Sequence, residues 1–235
     1  MGIKELILLQ IIAHLLLDFF FQTHKSAEEK NTKGFRSAFL YKHAFLCFIL
    51  SWIFSLQIEF VWAALCLAML HLIIDGFKPL LRRIPKLNPY LFYLDQLLHL
   101  LVLTLVVYAF DYWIGINPTF EVDFNFKILL MITGYLFCLK PTNIFIREVF
   151  KSTDIQVSSD NEMPNAGKVI GILERILTLT LILVGQYSAV GFLIAAKSIL
   201  RYRSDETLKS EYVLIGTLLS FGIAVLLGIL ISSFP

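Results

Sequence analysis

The sequence predicts an all-α protein, a polytopic bundle of transmembrane helices. Of its 235 residues, 57% are hydrophobic and only 16% are charged, whereas about a quarter of the residues in a soluble domain are charged. The mean hydropathy is +0.75. The apolar residues are grouped into stretches of about 20, the length that a helix needs to cross a bilayer.

Eight apolar segments are candidate membrane spans. The first lacks a small-residue cleavage site, so we expect a retained helix and not a signal peptide. The seventh is short, and a bundle of seven spans is the alternative if it does not cross. In chain order, the segments are approximately residues 5–22, 37–56, 60–77, 90–113, 125–140, 168–185, 188–202 and 211–233.

Loop charge predicts the orientation of the bundle. Lysine and arginine are concentrated in the connections after the first, third, fifth and seventh segments. Because basic loops stay on the cytoplasmic side, we expect both termini outside. Since the basic residues mark loops, the net charge of +2 does not indicate nucleic-acid binding. The lipid bilayer is the expected partner.

A polar stretch divides the chain into two groups of membrane segments. Residues 1–150 are predicted to form a bundle that carries histidine and aspartate. Residues 151–166 are rich in serine, aspartate and asparagine, which indicates a cytoplasmic linker. Residues 167–235 supply the C-terminal transmembrane helices, which contain no histidine.

Four of the five histidines lie in the apolar segments, and three of these four have an aspartate four residues away. Four residues make about one helical turn, so each pair projects from one face of its helix. Ionisable side chains are costly in lipid and usually serve a function there. The pairs are His14 with Asp18, His71 with Asp75 and His99 with Asp95, and the fourth histidine is His43.

The predicted orientation brings these seven residues to one depth in the cytoplasmic leaflet. Imidazole and carboxylate are ligands for divalent metals, of which zinc is the first expectation. All seven are therefore candidate metal ligands. An aspartate that is not a ligand can orient a histidine or act as a general base, so the candidate catalytic residues are Asp18, Asp75 and Asp95. A proton pathway and a structural network of hydrogen bonds between helices are the alternatives.

Polar neighbours extend this set towards the cytoplasmic surface. Lysines there could hold an anionic substrate group such as a phosphate, or could simply reach to the interface by snorkelling. The candidate substrate-binding residues are Gln22, Lys42, Lys78 and Gln96.

The back half contains a second charged cluster and a stripe of small residues. The cluster predicts either an ion-paired clasp between the sixth and seventh helices or a second phosphate-binding group. Small residues at every fourth position of the last helix permit close helix contact within the monomer or across a homodimer. The cluster is Glu174, Arg175, Lys197 and Arg201, and the stripe is Gly216, Ser220, Ala224 and Gly228.

Four segments of the front half together resemble bacterial membrane proteins that carry the domain of unknown function 3307: AHLLLDFFFQTHK, YKHAFLCF, HLIIDGFKPLL and YLDQLLH. GKVIGILERILTL and EYVLIGTLLSF in the back half resemble the extended members of that family. The resemblance implies a multi-pass protein of the bacterial cytoplasmic (inner) membrane and brings no established activity. The front half is also loosely similar to inner-membrane proteins described as metal-dependent hydrolases, which carry H-x-x-x-D patterns.

These observations predict a metal-dependent intramembrane hydrolase whose site opens towards the cytoplasm. An amphiphilic, phosphate-containing small molecule is the expected substrate, because the site lies within the leaflet beside cations. A metal-ion or proton transporter is one alternative, and a membrane sensor or scaffold for a cytoplasmic partner is another. A transporter needs a polar path to the outer face, and the outer halves of the first four segments are almost wholly apolar.

Overall fold

The computed structural model describes residues 1–119, 124–153, 166–201 and 207–235, and within these ranges the protein is helical with no strand. The chain divides into two compact units, Met1–Leu129 and Leu130–Pro235. Most of the predicted linker, residues 154–165, lies outside the described residues.

The helices of the first unit reproduce the first four predicted segments and add one between them. In chain order they are α1 (Ile3–Leu15), α2 (His24–Lys33), α3 (Ala38–Ser55), α4 (Val61–Leu81) and α5 (Leu91–Trp113). The remaining helices are α6 (Phe126–Cys138), α7 (Lys140–Ser152), α8 (Ala166–Leu183), α9 (Tyr187–Arg201) and α10 (Thr207–Ser232). Each of the eight predicted segments therefore corresponds to a helix.

Length and composition identify four of these helices as candidate membrane spans, or up to six if each of two bent helix pairs is one span. In one pair, Ile3–Phe20 and His24–Arg36 meet at 95°; in the other, Phe126–Cys138 and Lys140–Ser152 meet at 49°. α8 carries three charged residues and α9 has only 15 residues. The four unbent candidates are Ala38–Ser55, Val61–Leu81, Asn88–Trp113 and Val213–Ser232.

The first helix does not end at Leu15 but widens into a π-helical turn over Leu16–Phe20. The chain then bends and enters α2, whose first turn is capped by the Thr23 hydroxyl accepting from the Ser26 amide at 3.2 Å. Residues 23–36 were expected to be a basic connection between the first two segments. They are helical because this cap starts α2 and because α2 packs along α4.

α4 is the centre of the first unit and packs against α2, α3 and α5, while α1 packs against α3 and α5. One end of the bundle formed by α1, α3, α4 and α5 is filled by an apolar cluster. Alanines on α4 let the neighbouring helices approach closely there, as small residues do in membrane bundles. The cluster consists of Leu6, Phe60, Ala63, Ala64, Leu67, Leu103, Val107 and Phe110.

In the second unit, the small-residue stripe of α10 is used within the chain. A Cβ atom at Gly228 would lie 2.5 Å from Cγ2 of Ile182 on α8. Ala224 is fully buried, and Ser220 is hydrogen-bonded to Arg175. Of the two alternatives for this stripe, these contacts match close packing inside the monomer.

We expect Gly228→Ala to lower the stability of the second unit, because overpacking of a filled contact typically costs about 1–3 kcal/mol. Gly222 is a matched control on the same helix, where an added Cβ meets nothing within 4 Å. Gly222→Ala should leave stability unchanged or raise it, since alanine is the better helix former. Thermal unfolding in detergent measures both variants. Equal melting temperatures would contradict the close α8–α10 contact.

Candidate functional site

The structure brings all four membrane histidines together. The ring centroids of His71 and His99 are 4.0 Å apart, those of His43 and His71 are 5.0 Å apart, and those of His14 and His99 are 5.4 Å apart. Each of these side chains is buried. Helices α1, α3, α4 and α5 therefore contribute one imidazole each to a common histidine layer.

The three aspartates form a second layer, one helical turn along from the histidines. Asp18 Oδ1 lies 3.0 Å from His43 Nε2 and 3.5 Å from His71 Nε2. Asp75 Oδ2 lies 3.4 Å from His71 Nε2. The four-residue spacing places each carboxylate on the same helix face as its histidine, and long-range packing then brings each beside histidines of other helices.

Two lysines neutralise part of the carboxylate layer. Lys78, one turn beyond Asp75 on α4, places Nζ 2.5 Å from Asp75 Oδ1 and 2.8 Å from Asp95 Oδ2. Lys30 on α2 places Nζ 2.6 Å from Asp75 Oδ2, and this side chain is buried. Asp75 is thus held between two ammonium groups, which explains how a fully buried carboxylate is tolerated.

Lys30 is the site residue that sequence reasoning missed. It lay in a segment expected to be a loop, and the one local signal was the Thr23 cap that starts α2. Lys42 was expected near the site because it adjoins His43 in sequence. Its side chain is exposed, and no ion pair described in the cluster involves it. On α3 consecutive residues point about 100° apart, so Lys42 faces away from the site.

Close backbone contact positions the end of α2 against α4. Gly34 has φ +53°, and a Cβ there would lie 2.6 Å from the carbonyl oxygen of Gly76. A Cβ on Gly76 would lie 2.3 Å from the ring of Phe35. Only glycine fits this left-handed position without strain, and the contact brings α2 near enough for Lys30 to reach Asp75.

Gln96 links the helices at the centre of the cluster. Its Nε2 donates to Asp18 Oδ2 and to Asp95 Oδ2, both at 3.2 Å, and its Oε1 lies 3.3 Å from His14 Nε2. Gln22 is at the edge, where its Nε2 donates to the backbone oxygen of Asp18 at 3.3 Å. Of the four predicted substrate-binding residues, Gln96, Lys78 and Gln22 are thus in or beside the cluster.

Several buried polar atoms of the cluster have no hydrogen-bond partner among the described residues. They include His99 Nε2, Asp95 Oδ1 and His71 Nε2, the last of which lies 3.4 Å from Asp75 Oδ2 without the geometry of a hydrogen bond. Buried polar groups are nearly always satisfied in native proteins, so unsatisfied ones need an explanation such as an ion or a ligand. Donor atoms of this kind are the ordinary ligands of divalent transition metals.

Three overlapping groups of three residues could each hold one metal ion. Within each group, the ligand atoms lie within 4.8 Å of one another. Asp18 and His71 each belong to two of them, so the groups describe neighbouring positions in one pocket. The groups are His14, Asp18 and His71; His43, His71 and Asp75; and Asp18, Asp95 and His99.

The predicted second cluster separates into two interactions in the second unit. Lys197 on α9 donates to Glu174 on α8, which is the expected clasp between these helices. Arg175 is buried and instead donates to the backbone oxygens of Cys138 and Leu139, to Asn143 and to Ser220. It therefore satisfies carbonyl groups at the break between α6 and α7. Arg201 is the last residue of α9, and its side chain lies outside the described residues.

Comparison with known proteins gives one match. No curated protein and no solved structure matches the chain. These comparisons do not show the resemblance to metal-dependent hydrolases. A family described as "Protein of unknown function (DUF3307)" matches residues 6–126, about half of the chain, and this range includes all seven histidines and aspartates of the cluster. The chain therefore belongs to the DUF3307 family.

Proposed function

We propose that this protein is a metal-dependent hydrolase of the membrane whose metal is held by His14, Asp18 and His71. The observation that supports this most is the convergence of these side chains, from α1, its π-helical turn and α4, to within 4.8 Å of one another. Three protein ligands with a remaining open position are the arrangement of catalytic zinc sites, and zinc is the first candidate.

The ion pairs of the three aspartates favour the group His14, Asp18 and His71 over the other two candidate metal sites. Asp75 is paired with both lysines and Asp95 with Lys78. The ion pairs described for Asp18 are with histidines alone. A cation at Asp18 therefore displaces no lysine, whereas a cation at Asp75 has to compete with two ammonium groups. His43, with Nε2 3.0 Å from Asp18 Oδ1, orients that carboxylate from the other side.

The chemistry that such a metal supplies is Lewis acidity: it stabilises negative charge on a phosphoryl oxygen and generates a nucleophile from water at neutral pH. Lys30 and Lys78 form ion pairs with Asp75 in the same cluster. Ammonium groups are common ligands for phosphate oxygens. Together with the apolar surroundings, they favour an amphiphilic phosphate ester as the substrate.

The membrane topology determines which side of the membrane the lysine side of the cluster faces. We propose eight membrane segments with both termini outside the cytoplasm, in a bacterial inner membrane. The basic connections then lie inside, and the lysine side of the cluster faces the cytoplasm. The sensor alternative depends on the polar stretch 151–166, of which residues 154–165 lie outside the described residues.

Transport of a metal or a proton is supported less well than hydrolysis. The apolar cluster around Phe60, Val107 and Phe110 fills the end of the first unit that the proposed topology places outside. A charged group would have to cross this packed apolar layer, which is costly in a bundle interior. An enzyme that takes its substrate from the cytoplasmic leaflet needs no such path.

The metal site can be tested by elemental analysis of purified protein after incubation with zinc, manganese or iron. We expect about one equivalent of metal in the native protein. His71→Ala and Asp18→Asn should each weaken binding by at least about tenfold, since changes even to outer-shell partners of a metal site cost 10- to 100-fold. His24→Ala is the control, because His24 is the exposed histidine outside the cluster. Equal metal content in the native protein and in His71→Ala would refute the site.

The substrate class can be tested by phosphate release from a long-chain alkyl phosphate in mixed micelles. We expect Asp18→Asn to abolish release. Lys30→Met should lower it by roughly 10- to 100-fold, as expected for a charged hydrogen bond of about 1.5–3 kcal/mol. Lys33→Met is the matched control on α2, where Lys33 is exposed and pairs with Glu29. Metal content measured in the same samples separates loss of metal from loss of anion binding, and full activity in Asp18→Asn counts against hydrolysis here.

The topology can be tested with reporters fused after Pro235. Alkaline phosphatase at this position should be active and green fluorescent protein dark, because the predicted C-terminus is outside the cytoplasm. The reverse pattern would contradict eight membrane segments with both termini outside the cytoplasm.

A further inference from the structure

Arg175 of α8 is a buried cation that forms no ion pair with a carboxylate in the part of the second unit that the structure describes. Only 1% of its surface is exposed, and its four hydrogen bonds all go to neutral oxygens. Glu174, its neighbour in sequence, pairs with Lys197 instead. Two of the four oxygens are carbonyls at the end of α6, where the helix dipole is equivalent to about half an elementary charge. Part of the positive charge of Arg175 therefore stays uncompensated.

One N–H group of the Arg175 guanidinium has no acceptor among the described residues. A guanidinium has five N–H donors and no acceptor. Nε uses its single donor on the backbone oxygen of Cys138, and Nη2 uses both of its donors on Leu139 and Asn143. Nη1 has two donors and uses one of them, on the Ser220 hydroxyl at 2.9 Å. The second N–H of Nη1 is left to donate to another group.

The side-chain amide of Asn143, on α7, adds a second donor of this kind. Its Oδ1 accepts from Arg175 Nη2 at 2.8 Å, and because arginine can only donate, this bond fixes the orientation of the amide. Asn143 Nδ2 is buried and has no hydrogen-bond partner among the described residues. Buried polar groups are nearly always paired. Both unpaired groups are donors beside a cation, so the partner that satisfies them is a negatively charged acceptor.

Space for an anion lies at Gly171, one turn before Arg175 on α8. A Cβ atom there would lie 3.1 Å from Arg175 Nη1 and 4.0 Å from Asn143 Oδ1, and no other side chain would come closer. The missing side chain thus leaves a notch, the Gly171 notch, whose walls are the guanidinium and the amide. Gly171 is half-buried, so the notch is accessible. Lys168 is exposed on the same face of α8, two turns before Arg175, and adds positive charge.

We propose that the Gly171 notch binds the phosphate group of an anionic membrane lipid, which accepts from Arg175 Nη1 and Asn143 Nδ2. Phosphate oxygens pair well with a guanidinium, and basic pockets between membrane helices on the cytoplasmic side bind lipid headgroups. Gly171 follows the first residue of α8, Ala166, by five positions, or about 7.5 Å. The headgroup layer is about 5–7 Å thick, so a helix that starts at the membrane surface carries Gly171 to the level of the phosphates. This lipid site does not depend on the proposed hydrolysis.

Lipid binding is tested by thermal unfolding of the 235-residue protein in a neutral detergent. Phosphatidylglycerol, phosphatidylcholine or inorganic phosphate is added. We expect phosphatidylglycerol at about 100 times its Kd to raise the melting temperature by roughly 5–10 °C. Phosphatidylcholine should raise it much less, because its headgroup carries its own cation. An equal rise with phosphatidylcholine, or no rise with phosphatidylglycerol, would overturn the proposal. A rise with inorganic phosphate alone would make the notch a site for free phosphate and not for lipid.

Asn143→Asp separates anion binding from a purely structural role of these residues. Aspartate keeps an acceptor for Arg175 Nη2, replaces the unpaired donor by an oxygen and supplies a negative charge. We therefore expect this variant, without lipid, to melt at the native temperature or above it. Its Kd for phosphatidylglycerol should be at least about ten times higher, since a hydrogen bond to a charged group is typically worth roughly 10- to 100-fold in affinity.

Gly171→Ala tests the notch itself, because the added Cβ occupies the space beside Arg175 Nη1. We expect the lipid-dependent rise in melting temperature to be lost in this variant. Gly167→Ala is the matched control on the same helix, where an added Cβ meets nothing within 4 Å, and it should keep the rise. The same Kd for phosphatidylglycerol in the native protein, Asn143→Asp and Gly171→Ala would place the lipid elsewhere and refute the proposal.

Discussion

Three carboxylates lie side by side in a bundle whose remaining interior is mostly apolar. The need to neutralise their negative charge determines the architecture around them. Lipid cannot hydrate a charge, so each carboxylate must find its partners inside the protein. Asp75 has two lysines, Asp95 has one, and Asp18 has histidines and the Gln96 amide. The bend after α1 and the glycine contact between α2 and α4 both bring Lys30 to Asp75.

The parts of the fold that depend on local pattern could be predicted from the sequence. Each of the eight apolar segments corresponds to a helix, of which four, or up to six with the bent pairs, are candidate membrane spans, and the four-residue spacing placed each aspartate on the face of its histidine. Loop charge predicted the orientation of each segment, and with that orientation the histidines and aspartates lie at one depth in the membrane. From this common depth we inferred that the faces carrying them meet, as they do on α1, α3, α4 and α5. Local pattern and loop charge were therefore enough to predict that the seven histidines and aspartates meet in one cluster.

What could not be predicted depends on contacts between residues that are distant in sequence. Lys30 reaches the site because α2 folds back along α4, and no periodicity in residues 24–33 indicates that packing. Arg175 and Glu174 were treated as one cluster, yet adjacent residues on a helix point in different directions. Glu174 therefore meets Lys197, while Arg175 meets the carbonyls between α6 and α7.

The placement of Lys78 has a consequence for biogenesis. When α4 enters the bilayer, Asp75 already has a counter-ion three residues away on the same helix, which reduces a cost of about 2.5–3.5 kcal/mol for each charge at mid-membrane. Asp18 has only His14 on its own helix, with Nε2 4.0 Å from Oδ2, and its shorter ion pairs reach His43 and His71 on helices that are synthesised later. α1 therefore gains its full stability only after α3 and α4 have packed against the Asp18 side chain.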